Sequence, residues 1–311
     1  QSLPRTAAIP RMELRHFGEQ FMSAGHIAKL RPQHAPKAPH QDPQFLESTA
    51  ARPIRILAEY LHPLVQLKKE GIGDTIVMFG SARIESHETS MGRLTRLKKT
   101  SAAKLPAGER AKHRAALRDA KSALEMSRYY EQARELSHRI TTWALTLGPR
   151  PRRFVICSGG GPGIMEAANR GATEAGGKSI GLSIELPHEQ FANAYISPEL
   201  SLNFHYFFMR KLWFAQIAKA LIVFPGGFGT MDELWEMMTL LQTGKLPKHN
   251  LIIIYGRKYW DEVLNFRAMV RWGMISPSEY EMLQFADTVE EAFQRIRRGL
   301  EKYHMELDSD L

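Results

Sequence analysis

The chain has 311 residues, 43% hydrophobic and 24% charged, the balance expected of a globular protein with one large or two ordinary domains. No apolar stretch reaches the roughly 18 residues of a membrane helix, so no membrane partner is expected. The single cysteine, Cys157, excludes an internal disulfide and leads to the expectation of a reducing, cytoplasmic setting. The net charge of +9 is unevenly spread: residues 51–155 carry 21 Lys/Arg against 10 acidic residues, and residues 156–311 carry 15 against 19. A basic stretch can gather anions or nucleic acid, but it is more often a solvated helix face.

Residues 1–43 read as an extended or disordered arm, with four prolines between Arg31 and Pro43. His26, His34 and His40 match no metal-ligand spacing, and no metal is expected. Residues 44–72 form an expected N-terminal helical extension: Ile54, Leu57, Ala58, Leu61, Leu64 and Val65 recur at helical intervals, with breaks at Pro53 and Pro63. Asp74 to Arg83 is the first strand-then-loop unit. Gly80, Ser81 and Arg83, at the end of the apolar run Ile76–Phe79, can hold an anion through backbone, hydroxyl and guanidinium donors.

Residues 84–128 are expected as an inserted basic helical hairpin, broken near Pro106-Ala-Gly108. Eleven Lys/Arg stand against three acids between Met91 and Arg128, and no aromatic residue appears before Tyr129. Base stacking needs aromatic platforms, so nucleic acid is not the expected partner. A helix from Tyr129 to Leu147 then leads back to the core.

Phe154 to Gly171 is the second strand–glycine–helix unit, with Gly159, Gly160, Gly161 and Gly163 in its turn and Glu166 at the start of its helix. The spacing departs from the dinucleotide fingerprint, and no Gly-x-x-x-x-Gly-Lys-Ser/Thr loop is present. A monophosphate or short anion fits better. The run from Phe204 to Ala220 reads as one buried helix carrying Arg210 and Lys211 at its centre, and buried cations need partners. Directly after it, Leu221–Phe224 ends in Gly226, Gly227 and Gly229, then Thr230 and Glu233. Free N–H groups at the start of the following helix favour a phosphate, and Glu233 lies within its first turns.

Strands expected at 75–79, 154–157, 180–184, 221–224 and 251–255 alternate with helices. That is the pattern of an α/β fold: a Rossmann-like, doubly wound parallel sheet with helices on both faces. The domain spans 73–275, and 276–311 adds a helix and an acidic tail. Three glycine loops at strand ends converge on one expected site.

Ser158-Gly-Gly-Gly-Pro-Gly-Ile-Met-Glu166, Met209-Arg-Lys211 and Pro225-Gly-Gly-Phe-Gly-Thr-Met-Asp-Glu233, in this order, resemble the LOG (Lonely Guy) family, whose members are often labelled lysine decarboxylases. The resemblance covers roughly 72–260. It implies a nucleoside 5′-monophosphate phosphoribohydrolase that releases free base and ribose 5-phosphate without a cofactor. It places the catalytic pair on Arg210 and Glu233 and the phosphate loop on Gly226 to Thr230, with Lys211 as a second cation. It also implies a homodimer with helices packed across the interface.

The chain departs from the short plant-type members at Gly163-Ile-Met-Glu166, in the basic insertion and in the long N-terminal segment, and so resembles a longer bacterial branch. Cytokinin riboside monophosphates are one substrate candidate; ordinary purine and pyrimidine monophosphates are equally compatible. The alternatives are a non-catalytic nucleotide or pterin-cofactor carrier on the same fold, and a nucleic-acid-binding protein. Nothing in the chain resembles a pyridoxal-phosphate Schiff-base lysine, which argues against the decarboxylase label.

Overall fold

The computed structural model describes residues 37–100, 105–149, 151–186, 192–247 and 249–305. The chain divides into two compact units, Gln1–Arg52 and Pro53–Leu311. Most of the expected arm lies outside the described residues, as does the end of the acidic tail. The described part of the first unit is not extended. It holds 3-10 turns at Pro39–Gln41 and Thr49–Ala51 and a short helix, Pro43–Glu47, capped by the Asp42 side chain on Gln44 N.

The second unit is built on seven parallel strands: β1 (Thr75–Phe79), β2 (Val155–Ser158), β3 (Ser179–Ile184), β4 (Ser201–Phe204), β5 (Ala218–Val223), β6 (Leu251–Tyr255) and β7 (Leu283–Ala286). Their order across the sheet is β4-β3-β2-β1-β5-β6-β7, and each adjacent pair is parallel. The chain winds outward from β1 to one edge, then returns beside β1 and winds to the other. This is the doubly wound arrangement, with its switch point between β1 and β5, where a crevice opens beyond the strand ends.

Helices cover both faces. In β1, Val77 and Phe79 belong to one core, while Ile76 and Met78 belong to the other. Helices α1 (Arg52–Lys69), α5 (Phe207–Ile217) and α6 (Phe228–Gln242) contribute Leu67, Trp213 and Leu234 to the first core. Helices α3 (Ala107–Leu145), α4 (Ile164–Glu174) and α7 (Val289–His304) contribute Leu136, Ala168 and Ile296 to the second. The central strands are buried on both faces, which explains their unbroken apolar runs; each such side chain contributes about 1.5–3 kcal/mol through burial.

Several expectations need correction. The two edge strands, β4 and β7, were not expected, and β7 carries the sheet beyond residue 275. The run 204–220 is not one helix: it ends β4, forms α5 and begins β5 at Ala218. The insertion holds α2 (His87–Lys99), but its second helix does not stop at 128; α3 is continuous for 39 residues. Pro63 does not break α1, although it has no N–H for the Glu59 carbonyl one turn back. The indole Nε1 of Trp213 donates to that carbonyl at 3.0 Å, so the lost helical bond is replaced from α5.

Candidate functional site

The three glycine loops meet at the carboxyl end of the sheet. Phe224 N donates to Phe79 O (2.8 Å) and Ser81 N to Pro225 O (3.0 Å), tying the loop after β1 to the loop after β5. Ile164 N donates to Ser81 O (3.1 Å), tying in the loop after β2. Gly163 is required there: its φ is +71°, and a Cβ would lie 2.4 Å from Ser81 O. Together the loops line one cleft of about 1010 Å³.

The structure brings Gly80, Ser81, Arg83, Gly159, Gly160, Gly161, Arg210, Gly226, Gly227, Gly229, Thr230 and Glu233 to this cleft. It does not bring Gly163, Glu166 or Lys211 to the cleft wall. Gly163 is packed against Ser81 and Ala82. The Glu166 carboxylate accepts a 2.6 Å hydrogen bond from Tyr130 Oη. Lys211 Nζ reaches Asp232 (2.7 Å) and Glu236 (3.1 Å), so it spans α5 and α6 rather than facing a ligand.

The loop after β5 has the construction of an anion cradle. Gly227 caps α6 without a side-chain bond, leaving the first amides of the helix for a ligand. At Gly226 a Cβ would stand 2.1 Å from Thr230 Oγ1, so only glycine lets this backbone lie against the threonine. Tyr259 Oη donates to Gly226 O at 2.8 Å and holds the loop from the far side.

At the foot of the cleft, Arg210 Nη2 lies 3.4 Å from Glu233 Oε1, and both side chains are largely buried. Burial pushes the Glu233 carboxyl up to about 7; the nearby Arg210 charge opposes this without cancelling it. Burial also draws the Arg210 guanidinium below its ordinary range, with Glu233 acting in the other direction. Among the described residues, buried Arg210 Nε has no hydrogen-bond partner, so part of the guanidinium is left unsatisfied at the site. A carboxyl that titrates near neutral pH beside a fixed cation is suited to proton transfer and charge stabilisation.

Sequence reasoning missed the supports behind the loops. Asn193 Nδ2 donates to Gly160 O (3.1 Å), Gly161 O (3.0 Å) and Asn169 Oδ1 (2.9 Å). Ser158 Oγ donates to Asn169 Oδ1 at 2.6 Å and accepts from Gly160 N at 3.0 Å. These side chains fix the second loop, yet Asn169 lies inside a helix and Asn193 in an irregular stretch, where nothing local marks them. Cys157 is free and buried, and burial pushes its thiol upward, away from reactivity.

A family model described as "Possible lysine decarboxylase" matches residues 165–296. The cytokinin riboside 5′-monophosphate phosphoribohydrolase LOG3 of Arabidopsis thaliana is 28% identical over 146 residues, which cover 46% of this chain and 66% of the relative. LOG7 of the same plant, of the same named activity, is 30% identical over 162 residues, covering 50% of this chain and 70% of the relative. The chain belongs to the LOG family. Among solved structures, two of the molybdenum cofactor carrier protein of Chlamydomonas reinhardtii superpose with TM-scores of 0.36 and 0.39, at 15% and 18% identity. They cover 73% and 74% of this LOG-family chain and 99% of each carrier chain. Matches to LOG3 and LOG7 reach half of the chain or less.

Among the described residues no helix is long and apolar enough to cross a membrane, and no group of three or more His, Cys, Asp or Glu is placed to hold a metal.

Proposed function

We propose that the protein is a nucleoside 5′-monophosphate phosphoribohydrolase that uses Glu233 and Arg210. The observation that carries this reading is the buried Arg210–Glu233 pair at the foot of a cleft lined by three glycine loops. The phosphate is held by the Gly226–Thr230 amides and the start of α6, where the helix dipole adds to the hydrogen bonds. Arg210, a cation throughout the physiological range, offsets the phosphate charge and keeps the 5′ end in place.

Cleavage of the C1′–N bond builds positive charge on the ribose ring. The Glu233 carboxylate stabilises that charge and accepts the proton of the attacking water. Water adds its oxygen to C1′, the base leaves with the bond electrons and takes up a proton, and ribose 5-phosphate remains. The phosphoribohydrolase name borne by LOG3 and LOG7 supports the same reaction, with cytokinin riboside monophosphates as one candidate among the nucleotides.

The proposed assembly is a homodimer. Ile54, Leu57, Leu61, Leu64 and Val65 on α1 are exposed, as are Phe207, Phe208 and Leu212 on α5. The two helices are joined through Trp213, whose indole bonds Glu59 O and whose ring lies 5.9 Å from that of Tyr60. An apolar surface of this extent on neighbouring helices suits a second copy of the chain.

The test is incubation with a panel of nucleoside monophosphates, reading free base and ribose 5-phosphate. Release of both supports the proposal. A monophosphate that binds and stays intact through long incubation would overturn it in favour of a carrier.

A further inference from the structure

The insertion does more than decorate the surface. Asp119, Ser122, Ala123 and Met126, all on α3, line the same cleft as Arg210, Glu233 and the glycine loops. Asp119, Ala123, Met126 and Tyr130 are spaced by four, three and four residues, which places them on one face of the helix. Tyr130 anchors that face: its hydroxyl donates to Glu166 at 2.6 Å in the first turn of α4, next to Met165, which also lines the cleft. The long helix is therefore held over the cleft.

The chemistry of this wall differs from that of the loops. The loops offer N–H groups and cations, which suit an anion. The α3 wall offers methionine and alanine, then a carboxylate and a hydroxyl. The Asp119 carboxylate and the Ser122 hydroxyl meet no hydrogen-bond or ion-pair partner among the described residues. A carboxylate beside a phosphate is repulsive, so this wall belongs to the other end of a nucleotide. A small apolar side chain and polarizable sulfur suit the face of a base, and the polar pair suits its edge.

We propose that α3 supplies the base subsite, and that Asp119 selects bases carrying an exocyclic amino group. An ionised carboxylate only accepts hydrogen bonds. Cytosine and guanine present amino donors, and guanine places a ring N–H beside its amino group. Uracil offers one N–H flanked by two carbonyl oxygens, which face the carboxylate unfavourably, and hypoxanthine lacks the guanine amino group. This inference rests on the phosphoribohydrolase reading for its substrate, but it can be tested without turnover.

The experiment compares two pairs, GMP with IMP, which differ only in the amino group, and CMP with UMP, which differ at C4 and in the N3 proton. It measures kcat/KM on the full chain and Kd on Glu233→Gln. Wild type should favour the amino-bearing member of each pair by about tenfold or more. Asp119→Asn, a change at an exposed position, should bring both ratios to within about threefold. Failure of the hydrolase reading would show as no ribose 5-phosphate from any nucleotide, and the Kd ratios would then decide the inference alone. Ratios that do not change in Asp119→Asn, or a wild-type preference for UMP and IMP, would overturn it.

Discussion

Arg210 Nη2 and Glu233 Oε1 lie 3.4 Å apart across 23 residues of chain, one on α5 and the other on α6. The strand between them, β5, runs from the first helix to the glycine loop that starts the second. A second link, Lys211 to Asp232 and Glu236, runs parallel to it and holds the two helices in register. The pair is thus set by the same turn that makes the phosphate cradle.

Glu233→Gln should lower kcat by roughly a thousandfold while nucleotide binding persists, because the amide keeps the shape but cannot accept a proton. Arg210→Ala should lose both turnover and binding. Release of ribose 5-phosphate, with equilibrium binding measured on the same variants, checks both. Wild-type rates in Glu233→Gln would exclude the mechanism.

The acid limb of the pH profile should follow Glu233. With its carboxyl pushed up to about 7, kcat/KM should fall close to tenfold per unit below that pH and level off above it. An initial-rate series from pH 5 to 9 measures this, and a limb near pH 4.5 would contradict the burial argument.

The same shift has a consequence for stability. Between the ordinary Glu value of 4.5 and about 7 the folded state holds a proton that the unfolded state has released, so stability falls as pH rises through this window. The loss is on the order of 3 kcal/mol at pH 8. Glu233→Gln, which mimics the protonated form, should therefore be more stable than wild type at pH 8 and nearly equal to it below pH 5. Urea unfolding at the two pH values reads the difference.

Two glycines of the cradle should respond differently to alanine. Gly226→Ala drives a Cβ to within 2.1 Å of Thr230 Oγ1, whereas a Cβ at Gly229 meets nothing within 4 Å. Gly226→Ala should raise KM at least tenfold and lower Tm; Gly229→Ala should leave both close to wild type. Equal effects at the two positions would mean that the contact with Thr230 is not what the glycine serves.

Leu57→Asp with Leu61→Asp should yield a monomer in sedimentation, with the far-UV spectrum unchanged. Both residues are about half exposed on α1, so the substitutions do not enter the core. A wild-type chain that sediments as a monomer would remove the dimer proposal.

Much of the fold was legible because its signals are local. Central strands buried on both faces have to be largely apolar, as are Ile76–Phe79 in β1, Ala220–Val223 in β5 and all of β6; glycine turns then mark the ends of β1, β2 and β5 at the cleft. The edge strands were not legible. β4 alternates buried and exposed residues over only four positions, and its pairing with β3 is a long-range event. Pro63 illustrates the same limit, since the donor that keeps α1 continuous is Trp213, far away in sequence.

At the site, the sequence by itself determined which residue types stand at the strand ends: glycines where backbones approach, Thr230 and Glu233 at a helix start, Arg210 one element earlier. Local chemistry dictates those choices, so they can be read in order along the chain. Tertiary structure decided which of them share a cavity. It turned Lys211 toward Asp232 and Glu236, tied Glu166 to Tyr130, and laid an unbroken α3 over the cleft with Asp119 facing in. Those outcomes depend on which partner a buried or tethered charge finds once the helices have packed, and no spacing within one segment encodes that.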